Sequence, residues 1–363
     1  MKKTFKNAKG ITLVALVITI IILLILAGIT ISSLTNTGLF GRAKEAKEKT
    51  QEAEVNQGKV LEEYENALNQ YDEKTFVYKV NKGEIKVGDY VTYTPDELDS
   101  NAVATLKSNL NTYSGKSNST INAAIDRQDL KWRVLDVQNG QVRLISEAPT
   151  TSKIELYGYN GYNNIVKLVD DACSTLYTNK QLASKVQNLK VEDIIKYMQI
   201  QLTENTTPYS PTNRYYPEIL LKEKEQTVNG TVGTELDLSE QKELINQTTK
   251  PQVNSWTLKK TYWDKSINNT DSFTDSKYYE LFINNGSNYP IYWMSSRCVN
   301  ATSDDVDFCV RVVNSGYVTA GRLYGSGSNE YSGSYAFRPV ITLNSNAQVT
   351  SGNGSSESPF NIQ

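Results

Sequence analysis

The longest apolar run lies near the amino terminus, where 18 of the 24 residues from Ile11 to Leu34 are apolar and none is charged. At about 1.5 Å per residue, a helix of that length reaches roughly 36 Å, enough to cross a bilayer. Its β-branched residues do not argue against a helix, because backbone in lipid must satisfy its own hydrogen bonds. Asn36 to Gly41 predicts a break at the outer interface, with Phe40 among headgroups. Val55, Val60, Leu61, Tyr64, Leu68 and Tyr71 then recur at helical spacing. They predict an amphipathic helix from Ala43 to Tyr71, within a stalk over 42–74, whose stripe packs under the next domain.

From Thr75 the pattern changes to short strands and turns, predicting an α+β head over 75–345. Gly88 to Tyr93 alternates as a strand. Trp132–Val137 and Val142–Ile145 flank Asn139-Gly140, a strong hairpin signal. Ile165–Tyr177 and Val191–Leu202 read as helices, and the polar stretch 96–128 reads as a loop with little helix. Residues 203–255 hold few apolar anchors and predict a flexible insertion. Strand patterns return at Trp256–Leu258, Tyr292–Met294, Phe308–Val313, Gly316–Val318 and Val340–Leu343, and 346–363 reads as a disordered tail.

Charge sharpens this picture. The 363-residue chain has Lys+Arg 38 against Asp+Glu 40, a balance that argues against a general nucleic-acid binder. Residues 1–41 carry Lys2, Lys3, Lys6 and Lys9 and no acid, so the remainder holds 34 − 40 = −6. The absence of histidine removes Ser-His-Asp and Cys-His catalysis and all imidazole metal ligands. Three cysteines cannot form a four-thiolate zinc site. No catalytic motif stands out and no cofactor is expected. A carboxylate-based hydrolase of cell-wall glycans is the enzyme alternative that this composition leaves open.

Lys9-Gly10-Ile11-Thr12-Leu13-Val14, after its basic leader, resembles the type IV prepilin and pseudopilin signal. The resemblance implies a basic leader over 1–10, a membrane-crossing pilin-like helix over 11–41, cleavage after Gly10 by a prepilin peptidase and methylation of Ile11. Pilins usually carry Glu at the fifth mature position, where this chain has Ala15, which points to a minor pilin or pseudopilin. The implied partners are the membrane, the peptidase and other pilins or pseudopilins. The implied location is the cell membrane, single-pass with the carboxy-terminal head outside, at the cell surface or in a pilus, and a purely structural pseudopilin is the alternative the resemblance leaves open.

Further motifs run through the head: Gly88-Asp89-Tyr90-Val91, Trp132-Arg133-Val134-Leu135, Leu144-Ile145-Ser146-Glu147, Trp293 to Arg297, Phe308 to Arg311 and Phe337 to Leu343. Together they resemble an extracellular domain family of Gram-positive surface proteins that looks C-type lectin-like. That resemblance implies a binding head with an extracellular glycan or protein ligand. The calcium-holding triplets of sugar-binding C-type lectins are not present; Asp304, Asp305 and Asp307 read as either a solvated turn or calcium ligands. Cys298 and Cys309 lack the copper-site spacing of formylglycine-generating enzymes and are candidates for a disulfide, while Cys173 reads as a buried apolar residue.

The chain has 23 Tyr against 8 Phe, and tyrosines among small polar residues suit either recognition loops or strand faces. The ligand face is expected between Gly316 and Ser334, with Tyr317, Arg322, Tyr324, Tyr331 and Arg297 as binding residues.

Overall fold

The structure, a computed structural model, describes residues 39–69, 71–199, 204–208, 226–228, 253–261, 273–283, 290–301, 306–325 and 329–363. The leader, the apolar run to Leu34 and most of the insertion lie outside them. No described helix is long and apolar enough to cross a membrane. The chain divides into two compact units at Tyr64/Glu65, rather than near Thr75.

The helix α1 (Leu39–Asn69) runs through Phe40 and Gly41, so the predicted break does not extend to these two residues. Of its stripe residues, Leu68 is exposed, as is Tyr71 beyond the helix.

In the larger unit, one sheet runs in the order β14 (Val349–Ser351), β15 (Phe360–Ile362), β1 (Tyr90–Thr92), β2 (Trp132–Gln138), β3 (Gln141–Ser146), β13 (Pro339–Leu343) and β5 (Ala183–Asn188). A second runs β11 (Tyr317–Gly325), β10 (Val306–Asn314), β9 (Tyr292–Ala301), β12 (Ser332–Ala336) and β4 (Lys153–Tyr157). From the insertion and the segment that follows it, β6 (Glu204–Pro208), β8 (Val253–Thr261) and β7 (Gln226–Val228) form a third. The class is α+β. Gln138 pairs with Gln141 around Asn139 and Gly140, whose φ values of 51° and 73° give the tight β2–β3 turn. Ser315 and Gly316 make the matching turn between β10 and β11.

Helices fill the spaces beside the sheets. α2 (Phe76–Asn81) stands where short strands were expected, capped by Thr75. α3 (Ser100–Tyr113) and α4 (Thr120–Ala123) replace the predicted polar loop. Asp99 caps α3 by accepting from Asn101 N–H at 2.8 Å, and Leu106 and Leu110, one turn apart, are its buried anchors. α5 (Gly158–Tyr177) is longer than the apolar pattern from Ile165 suggested. α6 (Val191–Ile195) is far shorter than the expected helix to Leu202. α7 (Ser276–Phe282) follows the insertion.

Two clusters form the core. Trp132, Val134 and Leu144 of the first sheet meet Leu156, Trp293, Phe308 and Val310 of the second around α5. Leu135, Ile145 and Val340, which leave the opposite face of the first sheet, join Met294, Val313, α6 and α7. Both faces are therefore covered, which is why β2 and β3 lack a clean apolar–polar alternation. Asn188, fully buried, links the sheets by donating to Trp293 O at 2.9 Å and accepting from Arg338 N–H at 2.7 Å.

The segment predicted to be a disordered tail is instead structural. β15 pairs in parallel with β1, Thr75 bridges Gln348, and Gln348 exchanges backbone hydrogen bonds with Gln363 at 2.9 and 3.0 Å. Phe360 explains the order, since it buries an apolar ring that the surrounding Ser, Asn and Gly residues obscure in the sequence.

Candidate functional site

The face expected to bind ligand is built on β11 and β12. Beneath it the Trp293 indole donates to Ile154 O at 2.9 Å and meets the Tyr335 ring edge-on at 4.5 Å. The end of β11 is tied back toward β12 by Tyr331 N–H donating to Leu323 O at 2.9 Å and Gly325 N–H to Asn329 O at 2.9 Å. This fastening brings Tyr331 beside Arg322, whose guanidinium lies 4.6 Å from the ring centroid. Arg322 also donates to and ion-pairs with Asp307. The Arg322 side chain is 38% exposed and that of Asp307 17%, so the pair with Tyr331 forms a small amphipathic platform. A flat ring beside a compensated guanidinium can stack on a sugar or peptide, and an anion must compete with Asp307.

The other expected residues divide. Tyr324 is buried, edge-on to Tyr159 at 5.7 Å, and Arg297 is 1% exposed with its guanidinium 5.7 Å from the Tyr162 ring centroid. Neither presents a surface to a ligand: Arg297 faces Tyr162 of α5, and the register shift that leaves Leu323 without a partner between Arg322 and Tyr324 turns Tyr324 inward. Tyr278 and Tyr292 are buried too, so at these positions tyrosine is a core residue. Tyr317 opens β11 opposite Asn314. Of the calcium candidates, Asp307 is paired with Arg322, while Asp304 and Asp305 lie outside the described residues, as do Gly10, Ile11 and Ala15. Among the described residues no cluster of three or more acids and cysteines could hold a metal ion. Cys298 and Cys309 are direct register partners on β9 and β10.

The quoted motifs of the first sheet converge on a second polar cluster. Arg133 donates to Gly88 O at 2.6 Å and Glu280 at 2.5 Å, with its guanidinium 4.8 Å from the Tyr90 ring centroid. Tyr90 donates to Glu147, and burial followed by that bond raises its hydroxyl to about 12. Arg338 donates to Ser146 O at 3.0 Å, Glu147 O at 2.9 Å and Phe282 O at 3.4 Å. These bonds fasten α7 to the first sheet. Burial opposes ionisation of Glu280, but bonds from Lys277 and Arg133 outweigh it and hold the carboxyl below its ordinary value. A carboxyl so held is a poor general acid at neutral pH.

No family model, curated protein or solved structure matches the chain.

A third cluster was not foreseen. Arg143 forms a two-bond fork with Asp136, at 2.6 and 2.5 Å, and reaches Asp193 at 2.5 Å. Tyr197 also donates to Asp136, Lys196 does so at 3.2 Å, and the Tyr197 ring stacks on Tyr278 at 3.8 Å. Burial raises Asp136, yet Arg143 and then Tyr197 and Lys196 bring its net value below the ordinary carboxylate range. The only sequence signal is the occurrence of Asp136 and Arg143 inside otherwise apolar strand runs. Asp136 and Arg143 are buried and Asp193 is nearly so, while Lys196 is exposed at the rim, and this network holds α6 to the hairpin.

Proposed function

We propose that the chain is a membrane-anchored, pilin-like surface protein, a minor pilin or pseudopilin, whose head binds an extracellular ligand. One observation carries this reading: a basic leader ending in Gly10 immediately precedes 24 residues without charge. A positive leader and a span of that length suit retention of the amino terminus at the cytoplasmic face. Ala15 in place of the usual pilin Glu favours a minor role, since a carboxylate at bilayer depth costs about 2.5–3.5 kcal/mol on insertion scales and is kept where assembly uses it.

The head is proposed to be C-type lectin-like. Support comes from its α+β class and from the meeting of Gly88, Tyr90, Arg133, Glu147 and Arg338, all motif residues, in one cluster. The proposed ligand is a glycan or a protein segment, and the Arg322–Tyr331 platform is where it docks.

Mass spectrometry of the mature amino terminus tests the anchor. N-methylated Ile11 is the expected result; an intact Met1, or a cut away from Gly10, sinks the pilin reading.

A further inference from the structure

Cys298 and Cys309 lie within an unbroken run of five pairs in the β9–β10 ladder. Val306 pairs with Ala301, Asp307 with Asn300, Phe308 with Val299, Cys309 with Cys298 and Val310 with Arg297, with no shift among these pairs. Directly opposed residues in an antiparallel pair have Cα atoms about 4.5–5.5 Å apart and project to one face. A disulfide spans Cα separations of about 4.4–6.8 Å, so the register meets its backbone requirement without moving either strand. Cys309 is buried, and its S–H donates to Asp307 O at 3.6 Å, a weak bond that oxidation would sacrifice. Cys173 belongs elsewhere, in α5, with its S–H on Asn188 Oδ1 at 3.9 Å.

We propose that Cys298 and Cys309 are an oxidisable pair that closes a cross-strand disulfide around the ten residues Val299 to Phe308. The oxidant is a small-molecule disulfide or the disulfide of an oxidoreductase. One cysteine thiolate attacks it, forming a mixed disulfide and expelling one thiolate. The second cysteine then displaces the other half, so the protein loses two hydrogens and the oxidant is reduced to two thiols. Arg322 is the register partner of Cys309 on the next strand, so the bond would fix the β9–β10 hairpin directly beside the proposed ligand platform. The extracellular location proposed above is an oxidising one, but the chemistry can be tested without relying on it.

The test takes the purified full chain, folded or refolding, through incubation with oxidised glutathione. Alkylation with iodoacetamide follows in denaturant without reductant. The expected result is a fall from three alkylated cysteines to one, Cys173, with a peptide linking Cys298 to Cys309 and a mass lower by two hydrogens. Reduction restores all three, and Cys298→Ser leaves two alkylated throughout. Three alkylated cysteines under both conditions, a lasting glutathione adduct, or a link to Cys173 would overturn the assignment. None of these outcomes bears on cleavage at Gly10, which the amino-terminal mass reports separately.

Discussion

The Trp293 indole fills the space beside Gly333 so closely that a Cβ there would lie 2.7 Å from the ring, and one on Gly321 2.9 Å from it. Trp293 is fully buried and held by Ile154 and Tyr335, so it cannot withdraw. Gly333→Ala is expected to destabilise the head by about 1–3 kcal/mol through overpacking. Gly58→Ala, in α1 with no atom within 4 Å of the new methyl, should be neutral or stabilising by up to about 1 kcal/mol. Urea denaturation of the two variants checks the contrast; equal effects would refute the packing account.

Removing Arg143 leaves Asp136 and Asp193 without their shared cation. Arg143→Met should therefore lose roughly 3–5 kcal/mol, as expected for breaking a buried pair on one side only. Replacing all three charged residues by apolar ones of similar volume should recover much of that loss. Thermal unfolding of the single and triple variants distinguishes the cases.

Acid sensitivity should have two opposing components. The folded-state value of Asp136 is depressed, so its contribution is present above the unfolded value of about 3.9 and is lost as pH falls through the folded value. Asp170 is shifted the other way. Burial raises it despite nearby Lys190 and hydrogen bonds from Ser295 at 2.6 Å and Asn188 N–H at 2.9 Å. Its contribution is complete below about pH 3.9 and declines as pH rises through its folded value. Asp170→Asn should flatten stability on the alkaline side while leaving the acid limb in place, measured as urea midpoints across pH. An unchanged alkaline slope would count against Asp170.

Much of this architecture was legible in the sequence, for identifiable reasons. Asn139-Gly140 announced the β2–β3 hairpin because few other residues accept two successive positive φ angles. α3 is hard to read from sequence because only Leu106 and Leu110 are fully buried and Ser, Thr, Asn and Lys fill most of its other positions, although Asp99 is a cap signal. The buried arginines explain the uneven reading of the candidate site. Arg297 and Arg322 look equivalent in sequence, yet one faces α5 and the other solvent. That choice depends on sheet register, which a bulge between Phe308 and Cys309 alters locally.

Deleting residues 349–363 should destabilise the head measurably, because it removes β14, β15 and the Phe360 ring from the first sheet. Hydrogen exchange at Val91, the β1 residue opposite Phe360, should rise in the truncated protein. Unaltered protection there would show that the last strands add nothing to β1.

Arg322→Ala should change stability by less than about 1 kcal/mol, since its pair with Asp307 is partly exposed. If the platform binds ligand, the same change and Tyr331→Ala should each abolish signal on a glycan array that retains the parent chain. A parent chain that binds unaffected by either change would move the site elsewhere.

The lacing of Thr75, Gln348 and Gln363 has a mechanical consequence. Thr75 and Gln363 meet beside this single residue, so tension applied between those two points loads the Gln348 hydrogen bonds before it reaches either sheet interior. The same closeness allows the chain to be rejoined there by a short linker and opened between Asn139 and Gly140, giving a circular permutant with its strand pairings retained.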